Sequence, residues 1–322
     1  RDVAFDLNHR MMPTMVHFRK MSLQSKNSGL VDLTMTGKID VPARVFENVK
    51  FALHSQIGDA QPYLNALAEG VRVGGTLRHE QTLSGSGERI QMAGSGGLRG
   101  FDLATPAREP GGRPRQVSLK DVEWRQDLTV FLKDRKPVRV VIPDEPDRYL
   151  GLTHPMLKCR VKGIIDKIGQ RPGKMTFEDF QITASGDLSE IPSFVLERLR
   201  RRGRDLSARG TFSNVLSLNG DLAKLTIANA YRCDGQVELV VNPPHAGAAQ
   251  KRLVLDQTAT SDLKMVVEGL NTSRGSREVT VRFEKTDNPL LSVKRGGEPM
   301  LLATLDGVIT QRPNSLSVAG LA

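Results

Sequence analysis

The chain has 322 residues, a formal charge of +10, 39% hydrophobic residues and 5% aromatics. That is thin for a large globular core but ample for sheets with one open face, arranged as one extended repeat domain or two compact ones. No apolar run approaches the length of a membrane-spanning helix, and the opening RDVAFDLNHR lacks the apolar centre of a signal peptide, so the chain reads as an internal fragment or a mature form.

In chain order, residues 1–28 have no clear structure, although Met11, Met12, Met15, Val16 and Phe18 could pack on a neighbouring element. A first repeat spans 29–142. It opens on a strand in which Val31, Leu33 and Met35 alternate with Asp32, Thr34 and Thr36, the period of a strand with one apolar face. Val49, Phe51 and Leu53 repeat the pattern. A short helix over 59–69 follows, then strands near 71–80, 88–94 and 97–104. The turn-rich stretch 105–115 is a loop, and strands resume at 116–123, 127–132 and 137–142. Residues 143–173 form an irregular connection, within which 156–168 reads equally as strand or short helix. A second repeat covers 174–240, with a helix over 188–202. Residues 241–322 supply further strands of the same sheet, with alternating sets such as Leu263/Met265/Val267 and Val279/Val281/Phe283.

The repeat is carried by particular words. Gly75-Thr76-Leu77 returns as Gly210-Thr211-Phe212 and Leu83-Ser84-Gly85 as Leu218-Asn219-Gly220, while Ile90/Met92 return as Leu225/Ile227; each lies 135 positions on (210 − 75). Upstream, Phe46-Glu47-Asn48-Val49 leads into Gly58-Asp59, as Phe177-Glu178-Asp179-Phe180 leads into Gly186-Asp187. One offset points to a repeat architecture. Asp59 and Asp187 are expected to cap the helices, Pro62 and Pro192 to sit in their first turns, and Gly70 and Gly203 to end them. In the second helix Phe194, Val195 and Leu199 are expected to form a buried stripe, with Arg198, Arg200, Arg201 and Arg202 at the end the helix dipole favours for cations.

Converging catalytic groups are not found. Ser84-Gly85-Ser86-Gly87 and Gly94-Ser95-Gly96-Gly97 lack the Lys-Ser/Thr of a phosphate loop and read as hairpin turns. The six histidines are isolated, and the acidic loop Asp144-Glu145-Pro146-Asp147 reads as solvated. Trp124 is expected to pack one ring face rather than to stack on bases. Cys159 and Cys233 are either one disulfide or two unrelated buried thiols, and no metal site is expected. The basic charge is compatible with nucleic acid or an anionic membrane, but its spread along alternating strands reads as a solvated face and makes nucleic acid an unlikely partner.

Together, Gly58-Asp59, a short helix, Gly75-Thr76-Leu77, Leu83-Ser84-Gly85 and Leu98-Arg99-Gly100-Phe101-Asp102-Leu103 resemble the AsmA/TamB-like proteins of Gram-negative envelopes, which belong to the repeating β-groove lipid-transfer group. The resemblance covers about 30–103 and 174–240. It implies an all-β dominated fold, a long curved antiparallel sheet forming an open apolar groove; the alternative is a β-sandwich. It implies a non-enzymatic protein without cofactor that binds phospholipid acyl chains and supports passive phospholipid transfer and outer-membrane biogenesis. The expected groove lining is Val31, Leu33, Met35, Val49, Phe51, Leu53, Ile90, Met92, Phe180, Ile182, Leu225, Ile227, Val279, Val281 and Phe283. Arg198, Arg200, Arg201 and Arg202 would face lipid head groups or an anionic partner. The location implied is the periplasm, with an inner-membrane anchor outside this chain and other envelope proteins as partners. The competing reading is a β-rich structural or interaction module without lipid.

Overall fold

The structure, a computed structural model, describes residues 3–11, 15–25, 29–67, 69–107, 115–169, 174–241, 251–270, 278–286, 291–295, 298–303, 306–312 and 315–319. In chain order the elements are β1 (Val3–Met11), β2 (Met15–Ser25), β3 (Asp32–Asp40), β4 (Val45–Gln56), α1 (Gln61–Leu67), β5 (Arg72–Gly85), β6 (Arg89–Thr105), β7 (Arg115–Leu119), β8 (Val122–Lys133), β9 (Lys136–Ile142) and β10 (Leu150–His154). Then come β11 (Leu157–Asp166), β12 (Thr176–Asp187), α2 (Ser193–Arg200), β13 (Arg204–Asp221), β14 (Lys224–Val241), β15 (Lys251–Glu268), β16 (Val279–Glu284), β17 (Leu291–Arg295), β18 (Glu298–Ala303), β19 (Gly307–Arg312) and β20 (Ser315–Ala319). The fold is all-β, with strand at 74% and helix at 8% of the described residues.

The chain divides into two units. The first contains 1–135, 145–155 and 192–197 and is an antiparallel meander from β1 to β6. Strand β6 pairs with β7 along its C-terminal half and with β8 along its N-terminal half, and β8 pairs with β10. The second contains 136–144, 156–191 and 198–322. Here β9, β11, β12, β13, β14 and β15 pair in turn; β15 pairs with β16 and β17, and the sheet continues through β19 to β20 and through β18.

The two copies share their irregularities as well as their strands. Register slips occur between Thr36 and Lys38 of β3 and between Phe46 and Val49 of β4; in the second copy they fall between Lys162 and Ile164 of β11 and between Phe177 and Phe180 of β12. Asn48 and Asp179 each have φ +47°. Facing them, Gly37 and Gly163 have φ +133° and +111°. A Cβ at Gly37 would lie 2.6 Å from Val49 Cα, and one at Gly163 2.4 Å from Phe180 Cα. An extra residue on one strand pushes its backbone onto its neighbour, so only glycine fits opposite.

In neither unit are the strands buried on both sides. Among the described residues no side chain is wholly buried, and the buried hydrophobic residues are Val49, Ile142, Phe180, Leu225, Val266 and Val267. A sandwich would bury the whole inner face of each sheet, whereas here most strand residues are half-exposed.

Several expectations need correction. Within 1–28, β1 and β2 form a hairpin in which Met11 pairs with Val16; Met12 lies outside the described residues. The stretch 88–104 is one strand, because Gly94–Gly97 continues β6 opposite Trp124 instead of turning. The connection 143–173 contains β10 and β11, and 157–166 of the ambiguous stretch is strand: Val161 pairs with Ile182 and Ile165 with Phe177, so sheet pairing decides what periodicity left open. Parts of the loops 105–115 and 241–247 lie outside the described residues.

The helices are shorter than expected, each preceded by a 3-10 turn, Ile57–Ala60 or Leu188–Glu190. Asp187 caps its turn, accepting from the Ser189 N–H at 2.8 Å. Asp59 does not cap: its carboxylate accepts from the Gly29 N–H, tying the start of the repeat to its first helix. Gly70 and Gly203, at φ +76° and +69°, follow the helices as expected.

Candidate functional site

Directly paired residues in an antiparallel ladder project to the same side, so the registers assign faces within each unit. In the first unit Leu33 pairs with Leu53 and Met35 with Phe51; Val49 pairs with Leu83, which pairs with Met92, and Ile90 pairs with Val130. Val31 stands just before β3, its carbonyl accepting from the Ser25 N–H at 2.9 Å, and continues the alternation. All eight residues proposed from the sequence in this unit therefore share one face. Leu77, Leu98, Val122 and Leu128 join them. In the second unit Phe180 pairs with Leu218 and Leu218 with Ile227, while Ile182 pairs with Leu216. Ile227 pairs with Met265, which pairs with Phe283; Leu225 pairs with Val267, which pairs with Val281. Val279 continues the alternation from Val281. The seven residues proposed here also share one face.

These apolar faces are not unbroken. In the first unit Gln81, Gly94 and Gln126 pair across the middle of the sheet, next to His79, Gly96 and Trp124. Trp124 Nε1–H donates to His79 Nδ1 at 3.2 Å, the two rings stack with centroids 6.0 Å apart, and Phe51 meets His79 edge-on. Trp124 thus packs one ring face against His79 within the sheet face. In the second unit Asn214, Tyr231 and Ser261 form a comparable polar row. Burial, and then the Cys233 sulfur two residues on, push the Tyr231 hydroxyl up to about 12.

The opposite face of the first unit is polar, and sequence reasoning gave it no role. Thr34, Lys50, Glu80, Thr82, Arg125 and Asp127 line a hollow of about 510 Å3 there. Some of its charges are paired, Arg125 with Asp147 at 3.8 Å and Asp127 with Arg148. Arg148 meets the buried Asp127 at 3.1 Å and Glu145 at 3.3 Å, which raises the Arg148 pKa, mainly through Asp127. Lys162 of the second unit meets Asp144 at 3.0 Å. The acidic loop is therefore committed to ion pairs, and no group of ligating side chains suited to a metal occurs among the described residues.

The arginines at the end of α2 are exposed, but not equivalent. Arg200 meets Asp205 at 3.1 Å, so it is held locally and is a weaker candidate for an external anion. Arg198 and Arg202 have no ion-pair partner among the described residues. Phe194 is 37% exposed, which corrects its place in a buried stripe: Val195, Leu196 and Leu199 are the half-buried apolar residues of α2. Cys159 and Cys233 are free thiols, half-buried rather than buried. No helix among the described residues is long and apolar enough to cross a membrane.

No protein-family model, curated protein or solved structure matches this chain.

Proposed function

We propose that the apolar sheet faces bind lipid acyl chains and that the protein supports passive phospholipid transfer in a bacterial envelope. The observation that carries this reading is the segregation itself. In each unit the registers collect large aliphatic side chains on one side, and most of them are half-exposed, although Val49, Phe180, Leu225 and Val267 are buried. An uncovered apolar surface of this kind marks a ligand or partner site. Each acyl methylene taken from water contributes about 0.8 kcal/mol, so a chain lying along the face is stabilised without any catalytic group. The periplasm, an anchor outside this chain and envelope protein partners belong to the same proposal and draw on the AsmA/TamB resemblance.

The test is mass spectrometry of gently purified protein together with uptake of a fluorescent phospholipid. Co-purifying phospholipid and saturable uptake are expected. A lipid-free protein that takes up none overturns the proposal in favour of a β-rich interaction module.

A further inference from the structure

The apolar face of the first unit ends in a distinct hollow. Beyond the bulge, Ile39 pairs with Phe46, Phe46 with Gly85, and Gly85 with Ile90. Ile39, Phe46, Ile90, Val41 and Leu132 line a hollow of about 310 Å3, joined at its rim by Asp40, Arg44 and Arg135. Val41 is 60% exposed, so a large share of this aliphatic surface faces water. A second hollow adjoins it, lined by polar residues including Ser86, Glu88, Lys133 and Asp134, and Arg44 and Arg135 line both. The two arginines stand at the divide between an apolar compartment and a polar one.

Their backbones are unusual. Arg44 has φ +54° and Arg135 φ +65°, a left-handed region that non-glycine residues enter at a cost and that glycine or asparagine would occupy more easily. Neither guanidinium has an ion-pair partner among the described residues. Of the nearby carboxylates, Asp40 accepts from the Ala43 N–H at 2.9 Å. Over the two hollows Asp40, Glu88 and Asp134 stand against Arg44, Lys133 and Arg135, three acids to three cations, but among the described residues no carboxylate is bound to either arginine, so both guanidinium forks are open to an external anion.

We infer that this end of the sheet is a binding site for a single-chain amphiphile with an anionic head, its tail on Ile39, Phe46 and Ile90 and its carboxylate between Arg44 and Arg135. The volume is at the small end of ligand cavities, which suits one chain. A guanidinium fork matches a carboxylate through two parallel hydrogen bonds. The inference rests on the acyl-binding reading and adds to it the class of ligand, its orientation and the two residues that select it.

The test compares a fluorescent long-chain fatty acid with the neutral alcohol of the same chain, on the wild type, Arg44→Gln/Arg135→Gln and Ile90→Asp. The expected result is tighter binding of the acid to the wild type. The double arginine variant should lose about tenfold for the acid and nothing for the alcohol, and Ile90→Asp should weaken both. Acid binding unchanged in the double arginine variant, with both probes still bound, overturns this site and leaves the general acyl-binding reading standing. Binding of neither probe to the wild type overturns both. Circular dichroism of each variant distinguishes a lost site from a lost fold, and Arg44→Lys/Arg135→Lys, which keeps the charge, should recover part of the acid affinity.

Discussion

The indole N–H of Trp124 donates to Nδ1 of His79 at 3.2 Å, and the indole ring fills the space that a side chain at Gly96 would need. A Cβ at Gly96 would lie 2.4 Å from two ring atoms and 2.7 Å from the Arg78 carbonyl oxygen. The ring could swing away; the backbone carbonyl cannot without shifting β5. Gly96→Ala should therefore lower stability by about 1–3 kcal/mol, the usual cost of overpacking, as read by urea unfolding. Because Trp124 is the sole tryptophan, its emission should shift to the red in the same variant. Gly74→Ala is the control, since nothing lies within 4 Å of a Cβ there. Equal stabilities would mean that the Trp124–His79 pair does not fix this part of the sheet.

The repeat makes a paired prediction. Gly37 and Gly163 face the bulges at Asn48 and Asp179, and both have φ values that L side chains avoid. Alanine at either should cost about 1–3 kcal/mol from backbone strain, plus the contact with Val49 or Phe180. Each cost should appear in its own unit, so the double variant should be additive within about 0.5 kcal/mol. Hydrogen exchange can assign the loss: β3 and β4 should lose protection in Gly37→Ala, and β11 and β12 in Gly163→Ala. A large loss in one variant and none in the other would contradict the equivalence of the two bulges.

These bulges mark the limit of what the sequence displays. Alternation of apolar and polar residues is local, so the groove candidates could be chosen strand by strand, and all fifteen fall on one face of their own unit. The phase between strands is not local. It depends on slips at Phe46/Val49 and Phe177/Phe180, which the repeated Phe-Glu motif signals only once the register is known. Gly94–Gly97 looks like a turn because its neighbour in space, Trp124, lies far along the chain. Asp59 looks like a cap because its true partner, the Gly29 N–H, is contributed by the start of the repeat. Phe194 illustrates a third limit: in a helix of eight residues either of two adjacent stripes could be the buried one, and tertiary packing chose Val195, Leu196 and Leu199. The polar hollow at Asp127 gave no signal, since its residues are scattered over several strands.

Tyr231 supplies a pH-dependent prediction. Its hydroxyl is raised from 10.0 to about 12, first by burial and then by Cys233. A raised folded-state value means that the folded chain holds its proton where the unfolded chain has lost it. This contribution to stability is fully present below about pH 10 and disappears as pH rises through about 12. Absorbance titration of tyrosinate should show a component near pH 12 that is missing in Tyr231→Phe. Cys233→Ala should bring that component down, but not to 10.0, because burial is the larger cause. A full return would make the sulfur the main cause.

The last prediction separates the arginines of α2. Arg200 is held by Asp205 at 3.1 Å, while Arg198 and Arg202 are exposed and unpaired among the described residues. Charge reversal near the helix end would disturb the favourable interaction of cations with its dipole, worth about 0.3–1 kcal/mol, and so would confuse a binding role with a structural one. Glutamine removes the charge and keeps a polar, though shorter, side chain. Arg198→Gln/Arg202→Gln should lower stability by no more than about 1 kcal/mol, the dipole interaction lost without the added repulsion of a reversed charge, yet weaken sedimentation with anionic liposomes severalfold. The difference should shrink as salt rises, since exposed charges are screened over about 10 Å at 0.1 M. Arg200→Gln should affect liposome binding less, because its charge is already shared with a carboxylate. If Arg200→Gln weakens binding as much as the double variant, the Asp205 pair opens at the membrane and the distinction between these arginines fails; if the double variant unfolds, their role is structural.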